Sequence, residues 1–297
     1  MVSYAKLRAR LYKGRPIVLD ADVGASLRAR GFEMDGPGAL GAILHRDPQA
    51  VSAHHQAELS CNVDILSALT ADTTPRALAE AAMEHRAARL TGIALELLSE
   101  LTAAWPRPVG VAGVLGSELV SATQRGRFED ETLEHAKRIA AGGADLMIVR
   151  GMGSRLDLVF AVAAAANHGT AWAVVDRYMA TDDELPRLAL SLTDAGAEAV
   201  LLEVDSAEEG LRRLRLLEGL APDVIPGTLL AAAPDALRGF PSPLFSSWVD
   251  RAVELTASGA RIVGGGAGTT EDHTRALASR LGMIHPSVAA PFGPSDG

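Results

Sequence analysis

Eight short apolar runs, each followed by a longer stretch of helical spacing, limit most strongly what this chain can fold into. The runs fall at 16–20, 63–69, 109–114, 144–149, 172–175, 199–204, 228–232 and 261–264. Helical patterns lie between them at 75–102, 130–141, 156–167, 183–195 and 207–217, with two more at 249–258 and 271–281. Several carry start signals: Thr74 before Pro75, Thr181 with Glu184 three residues on, and Thr270 ahead of the last helix. Repeated strand–helix units predict an α/β fold, and eight of them predict a (β/α)8 TIM barrel. A doubly wound open sheet shares the same rhythm and is the competitor. No antiparallel edge strand is evident, which favours the barrel. Nothing resembling a linker divides the 297 residues, so one domain is expected over 1–285, with the Pro-, Gly- and Ser-bearing stretch 286–297 as a loose tail.

The charge balance narrows the partners. With 37 acidic against 28 basic side chains, the net charge of −9 argues against a nucleic-acid surface, which needs clustered Lys and Arg. A single cysteine, Cys61, excludes an intrachain disulfide and any zinc site built from two or more thiolates of one chain. No basic leader with an apolar core opens the chain, and no apolar run nears ~18 residues, so a soluble cytoplasmic protein without membrane contact is expected. Aromatics make up only 4% of the chain, which suits aliphatic helix–sheet layers.

In a barrel the functional side chains collect at the carboxyl ends of the strands. Here those ends bring Asp20 and Asp22, then Thr70 and Asp72, the segment 113–117, Arg150, Asp176 with Arg177, Glu203 with Asp205, Pro234 with Asp235, and the glycine-rich turn 264–270. A cup so rich in carboxylates favours a cationic or hydrogen-bond-donating ligand. The plainer reading is that many of these acids cap helices on the solvated rim. The glycine turn, at Gly265, Gly266, Ala267, Gly268 and Thr269, can either cradle an anion or simply let strand and helix pack closely. Trp172 is expected in the core. Trp248, assigned to a loop at 240–248 near the mouth with Phe245, is the better candidate for an aromatic wall against a cation. His54 and Glu58 share a helix face and read as solvated surface, and the eight histidines show no zinc-binding spacing.

Several of these segments resemble one family, the homocysteine S-methyltransferases. The stretch from Val18 to Leu27 is similar to that family's LDGxxGTxL opening, and Val51, His55 and the run from Cys61 to Asp64 to its VxxxH…AGAD stretch. The run from Ala112 to Gly116 resembles an AGSIG segment, Pro234 to Ala236 a PNAG turn, and Gly259 to Thr270 the GARIIGGCCGTTP signature. The landmarks keep their order from about residue 15 to 282. The resemblance implies a barrel that moves methyl to homocysteine from betaine, S-methylmethionine or a related donor, with zinc holding the acceptor sulfur.

The departures lie in the zinc site. The family's three cysteine positions correspond to Val204, Gly266 and Ala267, and the acid that commonly ends strand 4 is Arg150. Expected, therefore, is a divergent enzyme that needs no zinc or other cofactor. It would act on a small metabolite, with a sulfonium or quaternary ammonium as the candidate class. Glu203 would serve as general base, Arg150 would bind a substrate carboxylate or pair with a neighbouring acid, and Asp20 would complete the catalytic set. Asp22, Thr70, Asp205, Asp235, the glycine turn and Trp248 would bind substrate. Two alternatives stay open: a lyase, hydrolase or isomerase reaction on the same barrel, and a non-catalytic metabolite-binding or partner subunit. Self-association is plausible on the resemblance, and a partner protein is not excluded.

Overall fold

The structure, a computed structural model, describes residues 2–33, 36, 38–116, 125–220, 224–232 and 243–282. Asp235 and the expected tail at 286–297 lie outside the described residues. The strands are β1 (Ile17–Val18), β2 (Ile65–Ala68), β3 (Gly110–Gly116), β4 (Leu146–Arg150), β5 (Thr170–Val175), β6 (Ala197–Val204), β7 (Ile225–Leu230) and β8 (Ile262–Gly265). Each pairs in parallel with its sequence neighbour from β2 to β8, and β8 pairs with β1. A parallel bridge between Leu19 and Ile65 joins β1 to β2 and completes the ring. The order never reverses, so there is no switch point of the doubly wound kind, and the chain is a (β/α)8 barrel.

Alternation along the strands sorts side chains into two layers. Ile17, Leu146, Ile148, Trp172, Leu201 and Leu229 belong to the inner core, whereas Val149, Ala173, Val200, Leu202 and Val204 pack against the surrounding helices. Trp172 is fully buried in the barrel, as its sequence setting predicts. The helix α1 (Val2–Tyr12), which the sequence reading left unassigned, closes the amino end. Its Tyr4, Leu7 and Leu11 join the inner core, and the Tyr4 ring lies 6.3 Å from that of Trp172. Beneath the seam, buried Asp64 accepts hydrogen bonds from the Val18 N–H at 2.9 Å and Arg107 Nη1 at 3.2 Å, and also pairs with Arg10.

The outer helices follow the sequence pattern after β2 and depart from it before. The pattern at 75–102 is two helices, α5 (Pro75–Ala79) and α6 (Ala87–Ala103), separated by a turn in which Ala82 takes a φ of 52°. Then come α7 (Arg125–Ala141), α8 (Arg155–Ala166), α9 (Leu185–Asp194), α10 (Ala207–Leu217), α11 (Pro243–Ala257) and α12 (Glu271–Arg280). Between β1 and β2, where one helix would suffice, three are inserted: α2 (Val23–Ala29), α3 (Ala39–Arg46) and α4 (Pro48–Ser60). The last of these is packed among α2, α3, α6 and α12.

Truncating Trp172 to alanine should remove about 3–5 kcal/mol of stability, as large-to-small changes in a filled core do, read from the denaturant midpoint. A second expectation concerns acid. Burial pushes His54, His135 and His273 down to about 4, and lowers His55 as well. A histidine kept neutral when folded but charged when unfolded contributes stability above its unfolded value near 6.5, and that stability drains away as pH falls toward 4. The thermal midpoint should drop across this window, less steeply in His135→Gln; an equal slope in the variant would refute the assignment.

Candidate active site at the carboxyl end of the barrel

Strand parity decides which end residues face the barrel axis. Beyond the inner-core residues Leu146 and Ile148, Trp172 and Val174, and Ala199 and Leu201, the next inward positions are Arg150, Asp176 and Glu203. A cavity of about 260 Å³ opens at this end, walled among others by Leu19, Asp20, Ser67, Asp72, Ile148, Arg150, Leu229, Gly265, Gly266 and Ala267.

Asp20 sits on the wall of that cavity with its side chain clamped. Its Oδ2 accepts the Ser67 N–H at 2.6 Å and its Oδ1 accepts the Ser67 hydroxyl at 2.7 Å. Burial lifts its carboxyl to about 6 against the lowering effect of Ser67 and of Arg150. Behind it stands Glu58, whose Oε1 accepts the Ala21 N–H at 3.2 Å. The expectation that His54 and Glu58 form a solvated pair is overturned: both are fully buried, because α2, α3, α6 and α12 pack against the face of α4 that carries them. Cys61 is buried too and donates to the carbonyls of Ala57 and Glu271, in keeping with a packing role.

The glycine turn is already supplied with an anion, the carboxylate of Asp22. Its Oδ2 accepts the Gly268 N–H at 3.0 Å, and its Oδ1 accepts the Ala25 N–H at 3.2 Å at the start of α2. Gly268 has a φ of 79°, a conformation that glycine adopts without cost. Three further N–H groups are engaged: Gly266 N–H with Leu230 O, Thr269 N–H with Gly266 O, and Thr270 N–H with His273 Nδ1. Asp22 and the turn therefore knit β1 to β8, and the phosphate cradle considered from the sequence is occupied from within.

Two other residues expected to bind substrate are structural. The Thr70 hydroxyl donates to Val114 O and accepts from Val114 N–H, each at 2.7 Å, and is fully buried. Trp248 lies inside α11, not in a loop, since that helix begins at Pro243 rather than 249. It is 5% exposed, donates through Nε1 to Leu230 O at 3.2 Å and stands edge-on to His273 at 4.8 Å. Phe245 covers His273 at the same 4.8 Å. Neither ring is among the residues that line the cavity.

Arg150 reaches the cavity with its side chain 40% exposed, and its guanidinium approaches Glu203 at 3.7 Å. Glu203 is 8% exposed and stands behind Arg150 rather than on the cavity wall, with Arg177 at 3.9 Å on its other side. Asp205 pairs with Arg177. Asp176, which the sequence places at a strand end but without a role, belongs to this group: burial, then the adjacent Glu203, push its carboxyl up to about 6. Glu203 and Asp176 thus form a carboxyl pair between two arginines. Sequence reasoning missed Ser67. Its signal was an inward-facing polar residue two positions after the core residue Ile65.

The positions corresponding to the family's zinc ligands do not fit a metal. Val204 faces outward, packed toward α10, as the parity of β6 requires once Glu203 faces in. Ala267 carries a methyl group only. A Cβ on Gly266 would lie 2.9 Å from Ala231 N and 3.1 Å from Leu229 O, against backbone that cannot yield cheaply. Among the described residues no three His, Cys, Asp or Glu side chains are grouped to hold a metal ion. Nor is any described helix long and apolar enough to cross a membrane.

The barrel and the ordered landmarks agree with the comparisons. The homocysteine S-methyltransferase family model matches residues 17–281, and the chain belongs to that family. Among solved structures it is similar to the homocysteine methyltransferase MmuM from Escherichia coli. The oxidized form matches with a TM-score of 0.76 at 20% identity, covering 92% of this chain and 99% of that one. The metallated form gives 0.74 at 19% identity over the same shares. A 2,3-dimethylmalate lyase of the PEP mutase/isocitrate lyase superfamily gives 0.52 at 16% identity, over 98% of this chain and 92% of that one. At such identities the structural likeness shows the barrel alone. Family and fold together support a methyltransferase-like enzyme.

Gly266→Cys should cost about 1–3 kcal/mol by overpacking β7 and should not create a thiolate site. Tight zinc uptake by Gly266→Cys combined with Ala267→Cys and Val204→Cys would contradict the geometry described for β6 and β8.

Proposed function

We propose that this chain is a zinc-independent enzyme of the methyltransferase type, acting on a small metabolite that carries a sulfonium or quaternary ammonium group. The observation that carries the reading is Asp20: a buried carboxylate on the cavity wall, oriented by two hydrogen bonds from Ser67, while Val204, Gly266 and Ala267 offer no donor to a metal. A cation held at Asp20 has its charge compensated before reaction, and a neutral leaving group forms when its methyl is taken in line by an acceptor. Without zinc to stabilise a soft thiolate, an amine, carboxylate or other non-thiol acceptor suits the site better. Arg150, across the cavity, is suited to a ligand carboxylate through two parallel N–H bonds.

Proton removal from the acceptor falls to the Glu203–Asp176 pair. Asp176, whose carboxyl burial and the adjacent Glu203 push up to about 6, is thereby brought toward the range in which an acid–base group works near neutral pH. The same pair lends support to a second reading, a lyase or isomerase reaction on this barrel. The phosphate-binding variant of that reading finds no support, since Asp22 occupies the glycine turn.

Three measurements test the proposal. Protein purified without chelators or a histidine tag should hold no stoichiometric zinc; one tightly held zinc per chain would return thiol methylation to first place. Calorimetry with glycine betaine or S-methylmethionine should detect binding that Asp20→Asn removes. Methyl transfer to a panel of amine and carboxylate acceptors should fall about 100-fold or more in Glu203→Gln with binding retained, and full activity in that variant would sink the role given to Glu203.

A further inference from the structure

We propose that Glu58 is a positioning residue for Asp20: the two form a buried acid pair in which Glu58 keeps the proton and Asp20 presents the negative charge to the cavity. The proposal rests on the functional reading above only for its ligand; the order of protonation within the pair stands or falls by itself.

The two carboxyls are placed unequally. Asp20 receives two donors from Ser67, at 2.6 and 2.7 Å, and feels the positive charge of Arg150 across the cavity. Glu58 receives one, the Ala21 N–H at 3.2 Å, and its Oε2 is buried with no hydrogen-bond partner among the described residues. The groups that face Glu58 give an ionised form little support. From the end of β1 comes the charge of Asp20 and from α12 that of Glu271, both opposing ionisation, against which the Thr274 hydroxyl of α12 offers a single neutral donor. On its own helix the thiol of Cys61 lies close enough to feel it, and Arg275 acts on that thiol from α12. No cation balances Glu58 within this set. A single proton supplied to the pair therefore settles on Glu58, where Oε2 can turn it toward Thr274, and the charge goes to Asp20, where Ser67 is waiting for it.

Burial sets the titration range. Glu58 is pushed up to about 8, by desolvation first and by Asp20 second, while Asp20 reaches about 6. Near neutrality the pair carries one negative charge, on the cavity side. Above about 8 a second charge appears behind the first, and the pull on a bound cation grows.

The test is a carbon-13 titration of the full chain labelled at the aspartate carboxyls, with Asp20→Asn identifying the Asp20 signal. That signal should show a main inflection near 6 and a smaller one near 8 as Glu58 ionises. Glu58→Gln, whose amide oxygen can still accept the Ala21 N–H, should abolish the second inflection and keep the first. A single inflection in the unaltered protein, or a second one that survives in Glu58→Gln, overturns the proposal. Should that variant fail to fold, glutamate labelling of the unaltered chain decides: one glutamate must remain protonated at neutral pH, and none doing so overturns the pair. Calorimetry with glycine betaine then separates the two readings. Affinity should rise severalfold through pH 8 in the unaltered protein and stay level in Glu58→Gln, whereas no binding at any pH would remove the ligand reading and leave the carbon titration to judge the pair.

Discussion

The ring of strands is weakest between β1 and β2, and carboxylates hold it shut. Among the described residues the two strands share one isolated bridge, Leu19–Ile65, with backbone hydrogen bonds from the Asp64 N–H to Val18 O and from the Asp20 N–H to Ile65 O. Below it Asp64 ties the Val18 N–H to Arg10 and Arg107, and above it Asp20 ties the end of β1 to Ser67 of β2. Hydrogen bonds to ionised acceptors are stronger than neutral ones and tolerate a short strand that backbone pairing alone would not secure. The placement of the cavity follows from this. The residue that fastens the seam at the top also lines the cavity, so closure and the recognition proposed for Asp20 share a side chain.

The architecture after β2 was legible because its signals are local. Parallel strands buried on both faces read as apolar runs, and the helices between them start at visible caps such as Thr74, whose hydroxyl accepts the Ala77 N–H. Before β2 the signals fail. Three helices occupy a connection where one was anticipated, and α4 has almost no amphipathic contrast because it is enclosed on several sides. Its polar residues were bound to look like surface. Glu58 and His54 could not have been placed by periodicity, since the reason for their burial is a neighbour, α12, more than 200 residues away in the chain.

At the site, parity was the signal that could have been pressed further. Counting by twos from Ala199 and Leu201 brings Glu203 inward and sends Val204 out, which separates the polar position from the one the resemblance matches to a metal ligand without any coordinates. The same count recovers Asp176 from Trp172 and Val174, and Arg150 from Ile148. Thr70, Asp22 and Trp248 were beyond such counting. Each sits at the correct end of the barrel, but its polar atoms are spent on backbone: Thr70 on Val114, Asp22 on Gly268 and Ala25, Trp248 on Leu230. Position at a strand end says where a side chain starts, and only the partner says whether it is available.

The carboxylate that Asp22 lays into the glycine turn also settles a question of competition. A small anion arriving from solution would have to displace a rival held beside Gly268 by the pairing of β1 with β8, present at an effective concentration far above that of any dissolved phosphate ester. Such a turn keeps the geometry of an anion hole while withdrawing it from exchange. The turn itself is thereby made a poorer seat for a phosphate, and selection falls to the groups that still face open space, Asp20 and Arg150 among them.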